Sequence, residues 1–200
     1  MLMSLRMLPA LLLTVLLTVT MAACEDEKAT VKPVTPSSAP AKGTLDWNLS
    51  KGHTTKDVRW PNKLSAFELH GGVQVRLALP AGASFDGRVE KVMGRREGEV
   101  IRNLDLFFRA ATTEDAYERA KRLGKEWSID LRNIDAWYKR RMEQRRDGKE
   151  DFSDTAFTGV SHSKPLGGSG GPAPAIEILN SFSDERPAVV NLSFVWPRQG

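Results

Sequence analysis

The sequence predicts an α+β domain, a mostly antiparallel sheet with two helices packed on one face. Three observations lead there. Apolar and polar residues alternate in segments before residue 110 and again after residue 174, the period of half-buried strands. Between Thr112 and Arg146 the apolar spacing lengthens to that of a helix. Turn-rich residues join neighbouring alternating segments, as hairpins require.

Taken along the chain, "GGVQVRLALP" comes first: Val73, Val75, Leu77 and Leu79 alternate with Gln74, Arg76 and Ala78, which predicts a strand ended by Pro80. "GRVEKVM" leads through Gly94 to Gly98 into "VIRNLDLFFRA", where Leu104, Leu106 and Phe108 share one face, and the two segments predict a hairpin. "TTEDAYERAKRLGKEW" sets Ala116, Ala120, Leu123 and Trp127 at helical spacing. Thr112 or Thr113 supplies its N-cap, and Glu114 and Asp115 favour the positive end of the helix dipole. Gly124 is expected to weaken or end this helix, because glycine lacks helix propensity. A longer helix is expected from about Asp130, with Leu131, Ile134, Tyr138 and Met142 as its apolar line. "DTAFTGV" predicts a short strand and "KPLGGSGGPAP" a flexible loop. "AIEILNSF" and "AVVNLSFVW" close the fold as two strands joined by "SDERP", with Val190, Leu192, Phe194 and Trp196 alternating along the second.

The N-terminal segment has a different character. Arg6 precedes an uncharged run from Met7 to Ala23, and Leu8 to Val19 is almost wholly aliphatic or Thr, the layout of a secretory signal. Ala22, Ala23 and Cys24 set small residues before the only cysteine of the chain. This junction resembles the bacterial lipobox, except that Met21 stands where Leu is usual. The resemblance implies that residues 1–23 are a lipoprotein signal peptide and that Cys24 is lipidated, anchoring the protein to a membrane through its N-terminal lipid. Glu25 rather than Asp follows the cysteine, which by the enterobacterial pattern implies a periplasmic protein on the outer rather than the inner membrane. Residues 24–44, rich in Lys, Thr, Ala, Ser and Pro, cannot bury enough surface to offset their ordering entropy and are expected to form a disordered tether. About 20 residues of such chain span roughly 25 Å as a coil and nearer 60 Å in polyproline II. Residues 45–200 suit a single α+β domain that rests on its apolar core, since one cysteine allows no internal disulfide.

The formal net charge of +4 falls by one when the signal, with its single arginine and no acid, is removed. So small an excess, without a nucleic-acid-binding module, gives no expectation of nucleic acid as a partner. The motifs that suggest chemistry have simpler readings. "GGSGGP" fits the letters of a nucleophile elbow around Ser169, and it resembles the segment around the nucleophilic serine of chymotrypsin-like proteases. Yet no strand is predicted before it and no helix after it, and the Asp beside the family's serine is missing. His53, His70 and His162 have no second ligand at metal-binding spacing, so neither a metal nor another cofactor is expected. No acid pair reads as a general acid and base, and no enzymatic activity is expected.

"YKRRMEQRRDGK" is less ordinary. Lys139, Arg140, Arg141, Arg145, Arg146 and Lys149 face only Glu143 and Asp147. Arg141 and Arg145 fall on or beside the apolar line, so the last turns of the helix are expected to project beyond the core as a basic prong. Such cations either complement the helix C-terminus while solvated or form a docking surface for an acidic protein, lipid headgroups or wall polymer. Trp137 and Tyr138 lie just upstream, and aromatic residues with Arg are common interface anchors. The candidate partner-binding set is therefore Trp137, Lys139, Arg140, Arg141, Arg145 and Arg146. Trp47 and Trp60 are equally suited to a core or an interface.

In layout, and in the stretch "DLFFRAATTEDAYERAKRLGKEWSIDLRNIDAWYKRR", the chain resembles small periplasmic immunity lipoproteins of interbacterial toxin–immunity pairs, including those matched to killing type IV secretion system effectors. The resemblance implies an inhibitor that binds and neutralises a toxic effector protein delivered into the envelope. It supplies no functional residue. The alternative is a non-enzymatic structural or assembly lipoprotein of the cell envelope.

Overall fold

The structure is a computed structural model and describes residues 43–149, 151–180 and 188–198. Among these, seven strands form one sheet in the order β1-β2-β3-β4-β7-β6-β5. The strands are β1 (Thr44–Asn48), β2 (Ala66–Ala78), β3 (Ser84–Glu97), β4 (Val100–Ala110), β5 (Ser161–His162), β6 (Ala173–Leu179) and β7 (Ala188–Val195). All neighbours run antiparallel except β1, which lies parallel to β2 from Thr44↔Gln74 to Asn48↔Ala78. Two helices, α1 (Thr113–Glu126) and α2 (Arg132–Arg146), follow β4 in the chain. This is the α+β arrangement that the sequence predicts, with the parallel edge strand β1 as an addition.

The predicted β3–β4 hairpin forms, and β2 is longer than its alternation suggests. Gly71 and Gly72, which open the predicted strand, lie inside it with φ of 86° and 79°. They sit opposite the single residue Glu90, a bulge that only glycine makes without strain. Across it the inward positions on β3 change from Phe85 and Val89 to Val92 and Gly94, so both halves of the ribbon face one core. Gly94 is required there. The Phe67 ring lies where its Cβ would be, and that ring meets Trp60 and Trp47 edge-on at 4.8 and 5.6 Å.

One face of the sheet is covered. Leu104, Leu106 and Phe108 of β4, Val190, Leu192 and Phe194 of β7 and Ile176 and Ile178 of β6 occupy matching register positions and are buried. Helix α1 lies on them through Ala116, Ala120 and Leu123, the small alanines allowing close approach, and Trp127 meets Phe194 edge-on at 5.0 Å. Thr112 is its N-cap and accepts from the Asp115 N–H at 3.0 Å. Gly124 does not end the helix, contrary to expectation. It is buried where Leu131 packs, a space its missing Cβ leaves open, and the chain turns only at Ser128, with φ 53°.

Helix α2 packs beside α1. Tyr117 and Tyr138 stack with centroids 4.0 Å apart, and the Tyr117 hydroxyl donates to Asp135 at 2.9 Å. Burial, with that hydrogen bond, raises the tyrosine pKa to about 12. The strand expected at "DTAFTGV" is replaced by a 3-10 turn at Ser153–Thr155 and a single bridge, Phe157↔Leu179. Thr155 turns inward to bond with α2, which breaks the alternation a strand needs. The glycine loop folds back on itself, Leu166 N–H donating to the Pro172 carbonyl at 2.9 Å. No helix among the described residues is long and apolar enough to cross a membrane.

Candidate partner-binding surface

The basic prong does not form. Trp137 and Arg141 are both 0% exposed, and Gln144 one turn further on is also buried. The buried face of α2 thus runs through Ile134, Trp137, Arg141 and Gln144, about 100° round from the line Leu131, Ile134, Tyr138 and Met142. The segment after the helix explains the rotation. Trp137 Nε1–H donates to the Thr155 carbonyl at 2.7 Å, and Arg141 Nη1 donates to Thr155 Oγ1 at 3.1 Å. The Arg141 guanidinium also lies 3.8 Å from the centroid of the Phe152 ring. Arg145 is half-buried and donates to Thr113 Oγ1 at 3.0 Å and to Glu114, which ties the two helices together.

Trp137, Arg141 and Arg145 are therefore packing residues. Lys139, Arg140 and Arg146 remain on the surface, Arg146 beside Asp147 at 3.2 Å. Trp47 belongs to the core, with Trp60 stacked on it at 5.9 Å. Ser169 lies exposed in its loop, and Cys24 is outside the described residues. The three histidines are far apart in role. His53 stacks on Trp196 at 5.6 Å with its pKa lowered by burial and by Arg102, His70 bonds Glu68 at 3.3 Å, and His162 is on β5.

The sheet face turned away from the helices carries the more organised chemistry. Register places Asp105 opposite Ser193 and Glu177 opposite Asn191. Asp105 accepts from Asn103 Nδ2 and from Ser193 Oγ, both at 2.6 Å, while Asn191 Nδ2 donates to Ser193 Oγ at 3.1 Å. Acceptors outnumber donors. Asn103 Oδ1 and Asn191 Oδ1 are buried without a hydrogen-bond partner, and the Glu177 carboxylate has no hydrogen bond or ion pair among the described residues. Burial, and then the Asp105 charge, raises the Glu177 pKa above its ordinary value.

No family model, curated protein or solved structure matches this chain.

Around these acceptors the face changes character by direction. At one end Phe157, 56% exposed, bridges Leu179, two residues from Glu177 on the same side of β6. Toward the other, Lys91 holds Glu68 at 3.0 Å and lies 4.2 Å from the Phe107 centroid, and this bond lowers the Glu68 pKa. An aromatic side chain beside unsatisfied acceptors suits a partner that offers N–H donors and an apolar group. These residues escaped the sequence reading because Asn103, Asp105, Glu177, Asn191 and Ser193 look like ordinary outward positions of alternating strands. Their one sequence signal is that the outward positions of "RNLDL" and "VNLSF" are short and polar rather than long and charged.

Proposed function

We propose that the protein is a lipid-anchored periplasmic immunity protein, tethered through Cys24, which binds a toxic effector delivered into the envelope. The observation that carries the binding part is the acceptor-rich cluster of Asp105, Glu177, Asn103 and Asn191 on the sheet face opposite the helices. Asn103, Asp105, Asn191 and Ser193 are held by one another and the strand register fixes the Glu177 backbone beside them, so a partner pays little ordering entropy there. An arginine of the effector suits the half-buried Glu177, the carboxylate of the cluster that reaches solvent. An apolar group beside it covers Phe157 and Leu179. The effector is thus expected to present a basic patch, the reverse of the charge that a basic prong would have selected.

The lipobox-like junction and the layout shared with immunity lipoproteins support the immunity part of the reading. The test is a competition assay with cells that lack the protein, together with its co-purification with any effector encoded beside it. Deletion should sensitise the cells, and E177K should abolish both the complex and protection. K139E/R140E/R146E, on the exposed side of α2, should leave them intact. Unchanged sensitivity on deletion overturns immunity, and sedimentation with purified wall in its place would favour a structural role.

A further inference from the structure

A second site follows from where the sheet divides. The last β3–β4 pair before the ribbon bends away is Lys91↔Phe107, and Val89 to Ser84 of β3 pair only with β2. β4 continues along β7 to Ala110, so its Phe108 and Arg109 leave β3 behind. Between the diverging strands opens a cleft of about 230 Å³ lined by Gly72, Arg88, Val89, Glu90, Phe108, Arg109 and Arg119.

The three arginines come from β3, β4 and α1, and none has an ion pair or a side-chain hydrogen bond among the described residues. Two are positioned without an ion pair. Arg119 lies over the Phe108 ring at 5.2 Å, and Arg88 rests against Gly72, where a Cβ would come within 2.8 Å of its Nε. Their N–H donors thus remain available in an open cleft lined by a single carboxylate, Glu90. Planar guanidinium groups brought to one cleft from three elements can match the oxygens of a tetrahedral anion.

We propose that this cleft is a binding site for a phosphate group, held by Arg88, Arg109 and Arg119. Phosphate is small enough to enter, and its charge offsets the arginine excess that the fold gathers there.

The experiment is isothermal titration of the full chain in detergent with inorganic phosphate, with chloride at equal ionic strength as reference. Arginine Nε–H NMR signals are followed in parallel. Phosphate should shift the Arg88 and Arg119 signals, and R88Q and R119Q should each weaken binding about tenfold, the loss of one charge-assisted hydrogen bond. R122Q, elsewhere on α1, should bind as the parent does. R109Q is a further variant at the same cleft, and circular dichroism checks that each variant is folded. Glycerol 3-phosphate and glycerophosphoglycerol separate the sources. Binding of the monoester alone assigns a soluble phosphorylated ligand, and binding of the diester as well assigns a phospholipid headgroup. A response no larger than that to chloride, or parent-like binding by R88Q and R119Q, overturns the site.

Discussion

Glu177 is the residue on which a cost and a use meet. Burial and the neighbouring Asp105 hold its pKa above the usual 4.5, so the folded chain keeps this proton more tightly than the unfolded chain does. The carboxyl therefore supports stability fully below about pH 4.5, and that support is lost as pH rises through the raised folded value. E177Q, which carries no charge at any pH, should be more stable than the parent at pH 7. Solvent screening at this half-buried position keeps the gain to a few tenths of a kcal/mol. Urea unfolding at pH 7 and pH 4 measures it, and the difference should vanish at the lower pH. A less stable E177Q at pH 7 would mean that Glu177 is satisfied within the fold and leave the proposed docking face without its centre. None of this was readable from "AIEIL", in which Glu177 is one polar letter. Its meaning depends on lying opposite Asn191 and near Asp105, and pairing between distant strands is set by the fold.

Elements were readable where one side of a segment decides its period. α1 and the strands β3, β4, β6 and β7 stand where alternation and helical spacing place them, because each buries a continuous apolar row. α2 forms too, but its orientation was misread. Spacing scores Arg141 and Gln144 as polar, whereas a guanidinium that lies over Phe152 and donates to Thr155 packs inside. The partner that allows this comes from residues 152–155, beyond the helix and its period. Thr155 Oγ1 accepts from Arg141 and donates to Gln144 Oε1 at 2.7 Å, so one hydroxyl serves two buried groups. T155V keeps the shape and deprives both, and should cost about 1–3 kcal/mol in denaturant unfolding. D154A, one residue away and exposed, should change little. Equal midpoints for T155V and the parent would show that α2 is held by packing alone. β1 escaped prediction for a related reason. Its five residues pair parallel with a strand more than twenty positions on, and a single short segment carries no sign of that.

At the scale of the whole molecule, the proposed roles occupy separate regions. The helices cover one side of the sheet, the acceptor cluster lies on the other, and the arginine cleft opens where β3 and β4 part. Anchoring is proposed at Cys24, and metabolic labelling with palmitate tests it. The parent chain should incorporate label and C24S should not, and an unlabelled parent with an intact leader would remove the anchor from the proposal. Anchored to a bilayer as proposed, the protein would meet its own copies at high local density, and the borders of its sheet would then matter. β5 offers two residues, β6 carries Pro174 in place of an N–H donor with its carbonyl already bonded to Ser163 N–H, and β1 spans five residues with Asp46 turned outward. Short, proline-bearing and charged margins give a neighbouring copy little ladder to extend, so crowding on the membrane should leave these domains separate rather than stitched into fibres.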